Sequence, residues 1–429
     1  MELKCRNTLL EVGRFAIESV RGDRLVEQAL GRWSIDTAVD VVAIGKAAAA
    51  MGAGACRGLG ERLQRALVIT KTGHALPELA HYPGVETLEA GHPVPTSESL
   101  LAGARLLEWL RAAPADRRML FLISGGASSL VEAPAAGVNL DDLVRINTWL
   151  LASGLGIDEI NAIRRRVSLI KGGNLLRVTG RRPLEAWLLS DVAGDNPAVI
   201  GSGLLYPGSA PQVMPVGVPD WLTRILERLP EPEPAAEPAP PHRVLANLQT
   251  ACEAAARRVR QEGLVAHLHP VELDGDAATT GAELARRLLG ELPAGIHIWG
   301  GETTVRLPDR PGRGGRNQHR ALAAASVLAG QTGLCLLAIG TDGSRAAASH
   351  TGRLAGSAAV TDGALAQTGA IRARDDEHLL DLSRALSFCT PSPCRSVAVV
   401  SAAGGYAVTL TATLPAGTQK TTSRDNYII

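Results

Sequence analysis

Five stretches of this chain place a reactive side chain closely after a short apolar run. Lys46 follows 38–44, and Ser124-Gly125-Gly126-Ala127-Ser128 follows 119–123. Asp191 follows 184–189, Glu302 follows 296–299 and Asp342 follows 334–339. Arg316 sits in the Gly-rich stretch 312–318, at the start of a helical pattern. The inventory is a lysine, an arginine, three carboxylates and a Gly/Ser turn. Such a turn forms an anion-binding concavity, carboxylates hold magnesium, and cations neutralise charge that develops on a transferring group. That kit suits phosphoryl transfer. Taken singly, each piece also has a plainer reading: a tight loop for 124–129, a loop cap for Asp191.

These residues work together only if the elements before them end on one edge. The runs at 38–44, 119–123 and 184–189 do not alternate apolar with polar, which predicts strands buried on both faces of a parallel sheet. Helices are predicted between them: one or two over 7–30, an Ala-rich one from Ala47 to Cys56, and one to about Ala112 capped by Thr96 or Ser97. Asn139 caps the next. In an open sheet of this kind ligands lie outside the carboxyl ends of the strands. Lys46 at a helix start opposes the helix dipole, which favours a functional role over a structural one. His92, in Gly91-His92-Pro93, reads as a structural turn histidine, with ligand contact as the alternative. The cluster 154–171, with Glu159, Asn161, Arg164, Arg165 and Arg166 and ending in Lys171-Gly172-Gly173-Asn174, reads equally as a phosphate pocket or a solvated basic face. The segment 230–241 holds six prolines and reads as a linker. After it the α/β alternation restarts, with helices near 247–262, 279–290 and 318–328.

A chain of 429 residues with 45% hydrophobic content has room for two cores. Its net charge of +1 argues against a nucleic-acid partner, and 3% aromatic content argues against base-stacking platforms. The six cysteines are scattered without a C-x-x-C pair, which fits a reducing cytoplasm and no metal or disulfide framework. No apolar run reaches membrane-spanning length, and the N-terminus has no signal-peptide pattern. There is no Walker A sequence, and Met51-Gly52-Ala53-Gly54 lies inside a helix pattern, so it is not a dinucleotide turn.

At these residues the chain resembles the glycerate 2-kinase family, the MOFRL-type glycerate kinases. The matching stretches are Ala43-Ile44-Gly45-Lys46-Ala47, Ile123 to Ser128, Leu169 to Gly173, Leu189 to Asp195, Gly300 to Thr304, Gly314 to Gln318 and Gly340 to Gly343. The resemblance covers about residues 10–345. It implies two α/β domains with a cleft between them: a Rossmann-like domain over 1–229, the linker 230–242, and a smaller MOFRL-like domain over 243–429. It implies ATP and Mg2+, with D-glycerate converted to 2-phosphoglycerate, in a cytoplasmic enzyme for which a homodimer is the candidate assembly. It makes Lys46, Asp191 and Arg316 catalytic, with Asp191 the metal ligand. Glu302, Arg316 and Asp342 become substrate-binding. Ser124, Gly125, Gly126, Ala127, Ser128, Lys171, Gly172 and Gly173 become nucleotide-binding.

Beyond the resemblance the pattern departs. Ser344 to His350 stands where the family has an acidic, Gly/Pro/Thr-rich loop, and Phe388 to Cys394 stands where it has Gly-Pro-Thr-Gly-Thr-Asn. Two other functions stand beside the kinase: a nicotinamide-dependent hydroxypyruvate reductase, a label that relatives of the family often carry, and a ligand-binding relative left without turnover by the C-terminal departure. The missing strand–GxGxxG–helix unit speaks against the reductase.

Overall fold

The computed structural model describes residues 2–208, 215, 217–230, 238–270, 273–305, 316–329, 331, 334–340, 396–400 and 407–413. The chain divides into two units, Arg21–Asn247 on one hand and Met1–Val20 with Leu248–Ile429 on the other.

The unit Arg21–Asn247 is built on six parallel strands: β1 (Val39–Ile44), β2 (Leu63–Lys71), β3 (Val85–Ala90), β4 (Arg118–Ser124), β5 (Leu184–Leu189) and β6 (His242–Ala246). Their order is β3-β2-β1-β4-β5-β6. All six residues of β1 are buried. The two-residue period of a strand is still present, but it sorts side chains between two apolar cores. Val42, Ile44, Ile69, Phe121 and Ile123 face one core with the helix Ser97–Arg111. Val41, Ala43, Val68, Leu120 and Leu122 face the other with the helix Ala48–Leu59. Burial on both faces is why the sequence shows no alternation. The helix Ser97–Arg111 starts at Thr96, where the Thr96 N–H donates to Ser99 Oγ. Asn139 caps Leu140–Ala152, accepting from the Asp142 N–H at 2.9 Å.

The strand order reverses direction between β1 and β4. That is the topological switch point, where the crossing helices diverge and leave a crevice at the carboxyl ends. Lys46 follows β1 and Gly125 follows β4, so the sheet delivers both to this crevice.

The second unit has a mixed sheet, ordered β10-β9-β11-β8-β7, from β7 (Ala266–Leu268), β8 (Gly295–Gly301), β9 (Cys335–Gly340), β10 (Ser396–Val400) and β11 (Ala407–Thr413). β11 runs antiparallel to both β8 and β9. The first helix, Glu2–Ser19, belongs here: its Leu9, Val12 and Ala16 pack with Ala251, Cys252, Ala255 and Val259 of the helix Leu248–Gln261. The helices Ala277–Gly290 and Arg316–Leu328 meet at Gly281, where an added Cβ would lie 2.1 Å from the Arg320 carbonyl oxygen. No helix among the described residues is long and apolar enough to cross a membrane.

Two expectations about organisation change. The boundary expected at the Pro-rich segment 230–242 moves to Asn247, because β6 lies beyond that segment yet pairs with β5 through Trp187↔Arg243 and Leu188↔Val244. The expected N-terminal domain over 1–229 also loses residues 1–20 to the other unit. A β6 at the sheet edge is short and begins with exposed His242 and Arg243, so it carries little apolar signal. Of the Pro-rich segment, residues 231–237 lie outside the described residues. A proteolytic nick within 230–241 should leave two fragments that co-elute on native size-exclusion chromatography and part only in denaturant. Release of a free 1–229 fragment under native conditions would restore the boundary to the Pro-rich segment.

Candidate active site

Two hydrogen bonds knit the ends of β1 and β4 together. The Lys46 N–H donates to the Gly125 carbonyl at 2.9 Å, and the Ala47 N–H donates to Ser124 Oγ at 3.1 Å. The Thr70 hydroxyl, on β2, donates to the Gly45 carbonyl. The chain passes through this knot because Gly45, Gly125 and Gly126 lack side chains. A Cβ on Gly45 would lie 2.2 Å from Ser124 Oγ, and Gly45 has φ +132°. A Cβ on Gly125 would lie 1.7 Å from Asp191 Oδ2. A Cβ on Gly126, which has φ +83°, would lie 3.0 Å from both Lys46 Cγ and His92 Nε2. Gly125 and Gly126 therefore allow close approach by Asp191 from the end of β5, Lys46 from β1 and His92 from the turn after β3. Lys46, Asp191, His92, Gly126 and Ser128 are half-buried, whereas Ser124, Gly125 and Ala127 are buried. His92, read from sequence as a structural turn residue, faces this group.

Ser128 has a defined hydrogen-bond direction. Ser202 Oγ lies 2.8 Å from Ser128 Oγ and donates its only proton to Asn161 Oδ1 at 2.7 Å. The amide is oriented by its Nδ2 toward the Val199 carbonyl. Ser128 must then donate to Ser202, and its outward lone pairs are left to accept. Ser202 is 1% exposed and has φ +60°, in the left-handed region, between Gly201 and Gly203 at φ +59° and +72°. A non-glycine residue holds that conformation only where its surroundings over-determine it. Here the Ser202 and Gly203 carbonyls accept from the Gly172 and Gly173 N–H groups at 3.1 and 2.7 Å.

Those bonds change the reading of 171–173. The Gly172 and Gly173 amides are committed to the chain itself, not to a nucleotide. Lys171 is 1% exposed and its ammonium pairs with Glu132, which is equally buried. Glu132 also accepts from the Ser168 hydroxyl at 2.5 Å and the Ala133 N–H at 3.0 Å. Burial pushes the Lys171 pKa down, opposed by the Glu132 carboxylate. Lys171, Gly172 and Gly173 are thus a structural staple, and the expected nucleotide contacts are withdrawn. The neighbouring arginines are neither a phosphate pocket nor a solvated face. Arg165 donates to the Ala198 and Ser202 carbonyls, Arg166 to those of Leu226 and Leu229, and Arg164 to Asn147 Oδ1. Burial lowers the pKa of Arg164 and of Arg165. Glu132 carries no motif, so nothing in the sequence announced it as the partner of Lys171.

Close to Lys46 lies His74, half-buried after β2. Burial, then the cations of Lys71 and Lys46, push its pKa down, while Glu89 opposes them. A depressed pKa keeps this imidazole neutral at pH 7.

In the second unit Glu302 follows β8 and pairs with Arg316, the first residue of its helix. The side chain of Arg316 is 9% exposed and that of Glu302 43%. Asp342 lies outside the described residues. Among the described residues no group of three His, Cys, Asp or Glu side chains could hold a metal ion.

Comparison with known proteins bears on this arrangement. A domain of unknown function, DUF4147, matches residues 8–216, and the MOFRL family matches 295–392. The D-glycerate 2-kinase of Thermotoga maritima is 33% identical over 380 residues, spanning 84% of this chain and 86% of that protein. The chain belongs to the glycerate 2-kinase family. It is accordingly a kinase. The glycerate 2-kinase of Pyrococcus horikoshii is 32% identical, over 76% of this chain and 77% of that one. A protein of Agrobacterium vitis named as a putative hydroxypyruvate reductase is 34% identical over 71% of this chain and 72% of its own length. The crystal structure of Thermotoga maritima glycerate kinase superimposes with a TM-score of 0.70 at 28% identity, covering 95% of this chain and 99% of that one. Membership of the glycerate 2-kinase family thus rests on both sequence and fold.

Two outcomes test this family member's site. Gly125→Ala should displace the Asp191 carboxylate and lower kcat at least about 100-fold, the scale of losing one preorganised electrostatic contact, with the circular dichroism spectrum retained. Lys171→Met should lower the unfolding free energy by about 3–5 kcal/mol in denaturant titration, because it strands Glu132 as a buried unpaired charge.

Proposed function

We propose that this chain transfers the γ-phosphoryl group of ATP to the 2-hydroxyl of D-glycerate, giving 2-phosphoglycerate. One observation carries the reading: Lys46 and Asp191 close on the Gly125–Gly126 turn from two different strands, at the switch point of a parallel sheet. The names of the Thermotoga and Pyrococcus relatives supply the substrate class.

In this reading the Gly125–Gly126 backbone lies along the transferring phosphates, and Lys46 offers its ammonium to the charge that develops there. Asp191 would hold Mg2+. The fit is that of a magnesium ion carried by one carboxylate with phosphates and waters, which needs no cage of protein ligands. When bound, the ion neutralises phosphate charge. Ser128, able only to accept outward, suits an alcohol O–H rather than a phosphate oxygen. Its expected role as a nucleotide contact passes to the acceptor side. Neutral His74 does not add a third cation near Lys46.

The strand order β3-β2-β1-β4-β5-β6 is also that of dinucleotide-binding folds, which gives the reductase reading its one structural support. Against it, the first strand-to-helix turn is Gly45-Lys46-Ala47, with one glycine and a lysine in place of the glycine-rich phosphate turn. Coupled assays separate the readings. ADP formation with ATP and D-glycerate is expected, with no NADH oxidation on hydroxypyruvate; the reverse pattern would establish the reductase, and binding without turnover the third reading. Lys46→Ala should lower kcat at least about 100-fold while the protein stays folded.

A further inference from the structure

The second unit holds a buried charge that is uncompensated among the described residues. Arg320 is 0% exposed, and its Nε, Nη1 and Nη2 meet no hydrogen-bond acceptor among the described residues. Arg316 stands four residues earlier on the same helix, so the two side chains share one face, and Arg320 leans back toward Arg316. The two cations are not equivalent. Arg316 has its counter-charge in Glu302. Arg320 has none among the described residues. Arg316 Nη2 likewise makes no hydrogen bond among the described residues, despite its ion-pair contact. Burial, and secondarily Arg316, lower the Arg320 pKa to about 10, which leaves the guanidinium charged at pH 7. A buried charge without partner or counter-ion costs several kcal/mol, and proteins ordinarily avoid it by pairing. Arg320 lies where two helices approach closely, for a Cβ added to Gly281 would lie 2.1 Å from its carbonyl oxygen and 3.0 Å from its Cγ.

We propose that Arg320, with Arg316, forms an oxyanion site in the second unit, taking a carboxylate or phosphoryl group in the fork of the Arg320 guanidinium. Planar, bidentate recognition of such groups is what arginine provides and lysine does not. This shifts the principal anion contact from Arg316, which the family resemblance singles out and Glu302 neutralises, to Arg320. The occupant supplied by the kinase reading is the glycerate carboxylate, and to that extent the site rests on that reading; inorganic phosphate tests the shared chemistry without it.

The experiment is isothermal titration of the full chain with inorganic phosphate and, separately, with D-glycerate, for the wild type, Arg320→Met and Arg320→Lys. The wild type is expected to bind at least one anion, and both variants to bind it at least tenfold more weakly. In anion-free buffer Arg320→Met should raise Tm, because it replaces an unpaired buried charge by an apolar chain of similar length. A loss confined to glycerate identifies a carboxylate site, and a loss confined to phosphate a phosphoryl site. No binding of either anion by the wild type, or affinities unchanged in Arg320→Lys, would overturn the proposal; the lysine variant decides if Arg320→Met does not fold. Arg320-dependent phosphate binding without glycerate phosphorylation would remove the kinase reading and keep the site. Phosphorylation with anion affinity indifferent to Arg320 would do the opposite.

Discussion

The first unit depends on the closure between two strand ends. The Lys46 N–H reaches across to the Gly125 carbonyl, and the Ala47 N–H to Ser124 Oγ, at the one place in the sheet where neighbouring crossovers diverge. A switch point opens a crevice, but it does not by itself bring reactive groups together. Here the two bonds fix where the Lys46 side chain leaves the backbone, and the absence of a Cβ at Gly125 lets Asp191 lie against the same turn. The carboxylate comes from a strand on the far side of β4. Parallel strands in register make that convergence automatic, since all their carboxyl ends fall on one edge.

Much of this was legible in the chain. Apolar runs without alternation marked β1, β4 and β5, and Lys46 and Asp191, shortly after two of them, lie against the Gly125–Gly126 turn that follows the third. What the strand reading could not supply was hydrogen-bond partnership. Lys171 in Lys171-Gly172-Gly173 looked like a phosphate contact because lysine beside glycine is ambiguous: it suits an anion loop, and it equally suits a buried pair whose partner lies elsewhere. Glu132, 39 residues away, decides it. The three consecutive arginines 164–166 were ambiguous for the same reason. Guanidinium groups that donate to carbonyls leave no trace in charge pattern, because a carbonyl belongs to every residue. β6 escaped notice because an edge strand of five residues, begun by histidine and arginine, has no apolar signature.

Buried charge is used in two distinct ways. In the first unit Glu132 and Lys171 neutralise each other, and Ser168 and the Ala133 amide complete the carboxylate's hydrogen bonds. Such a pair contributes little net stability over an apolar substitute, but it fixes which loops lie together. Here it ties 168–173 to 131–133, and through Gly172 and Gly173 it supports the left-handed Ser202 that orients the Ser128 proton. In the second unit Arg320 lacks this completion among the described residues. The first arrangement is a finished structural device, whereas the second is the one that leaves a guanidinium fork for something outside the chain.

The helix Glu2–Ser19 packs against 248–259 and the strand that begins at Gly295, with the whole of the other unit between them in sequence. On the ribosome this helix emerges ahead of the rest of its unit, and the partners of Leu9, Val12 and Ala16 among the described residues are made only well over two hundred residues later. The intervening unit has its own complete sheet and can fold as it is synthesised, so the order of maturation runs from the middle of the chain outward. Closing the discontinuous unit is then a long-range step with a large loop already folded inside it, and the amphipathic first helix is what a nascent-chain chaperone would have to shield in the meantime.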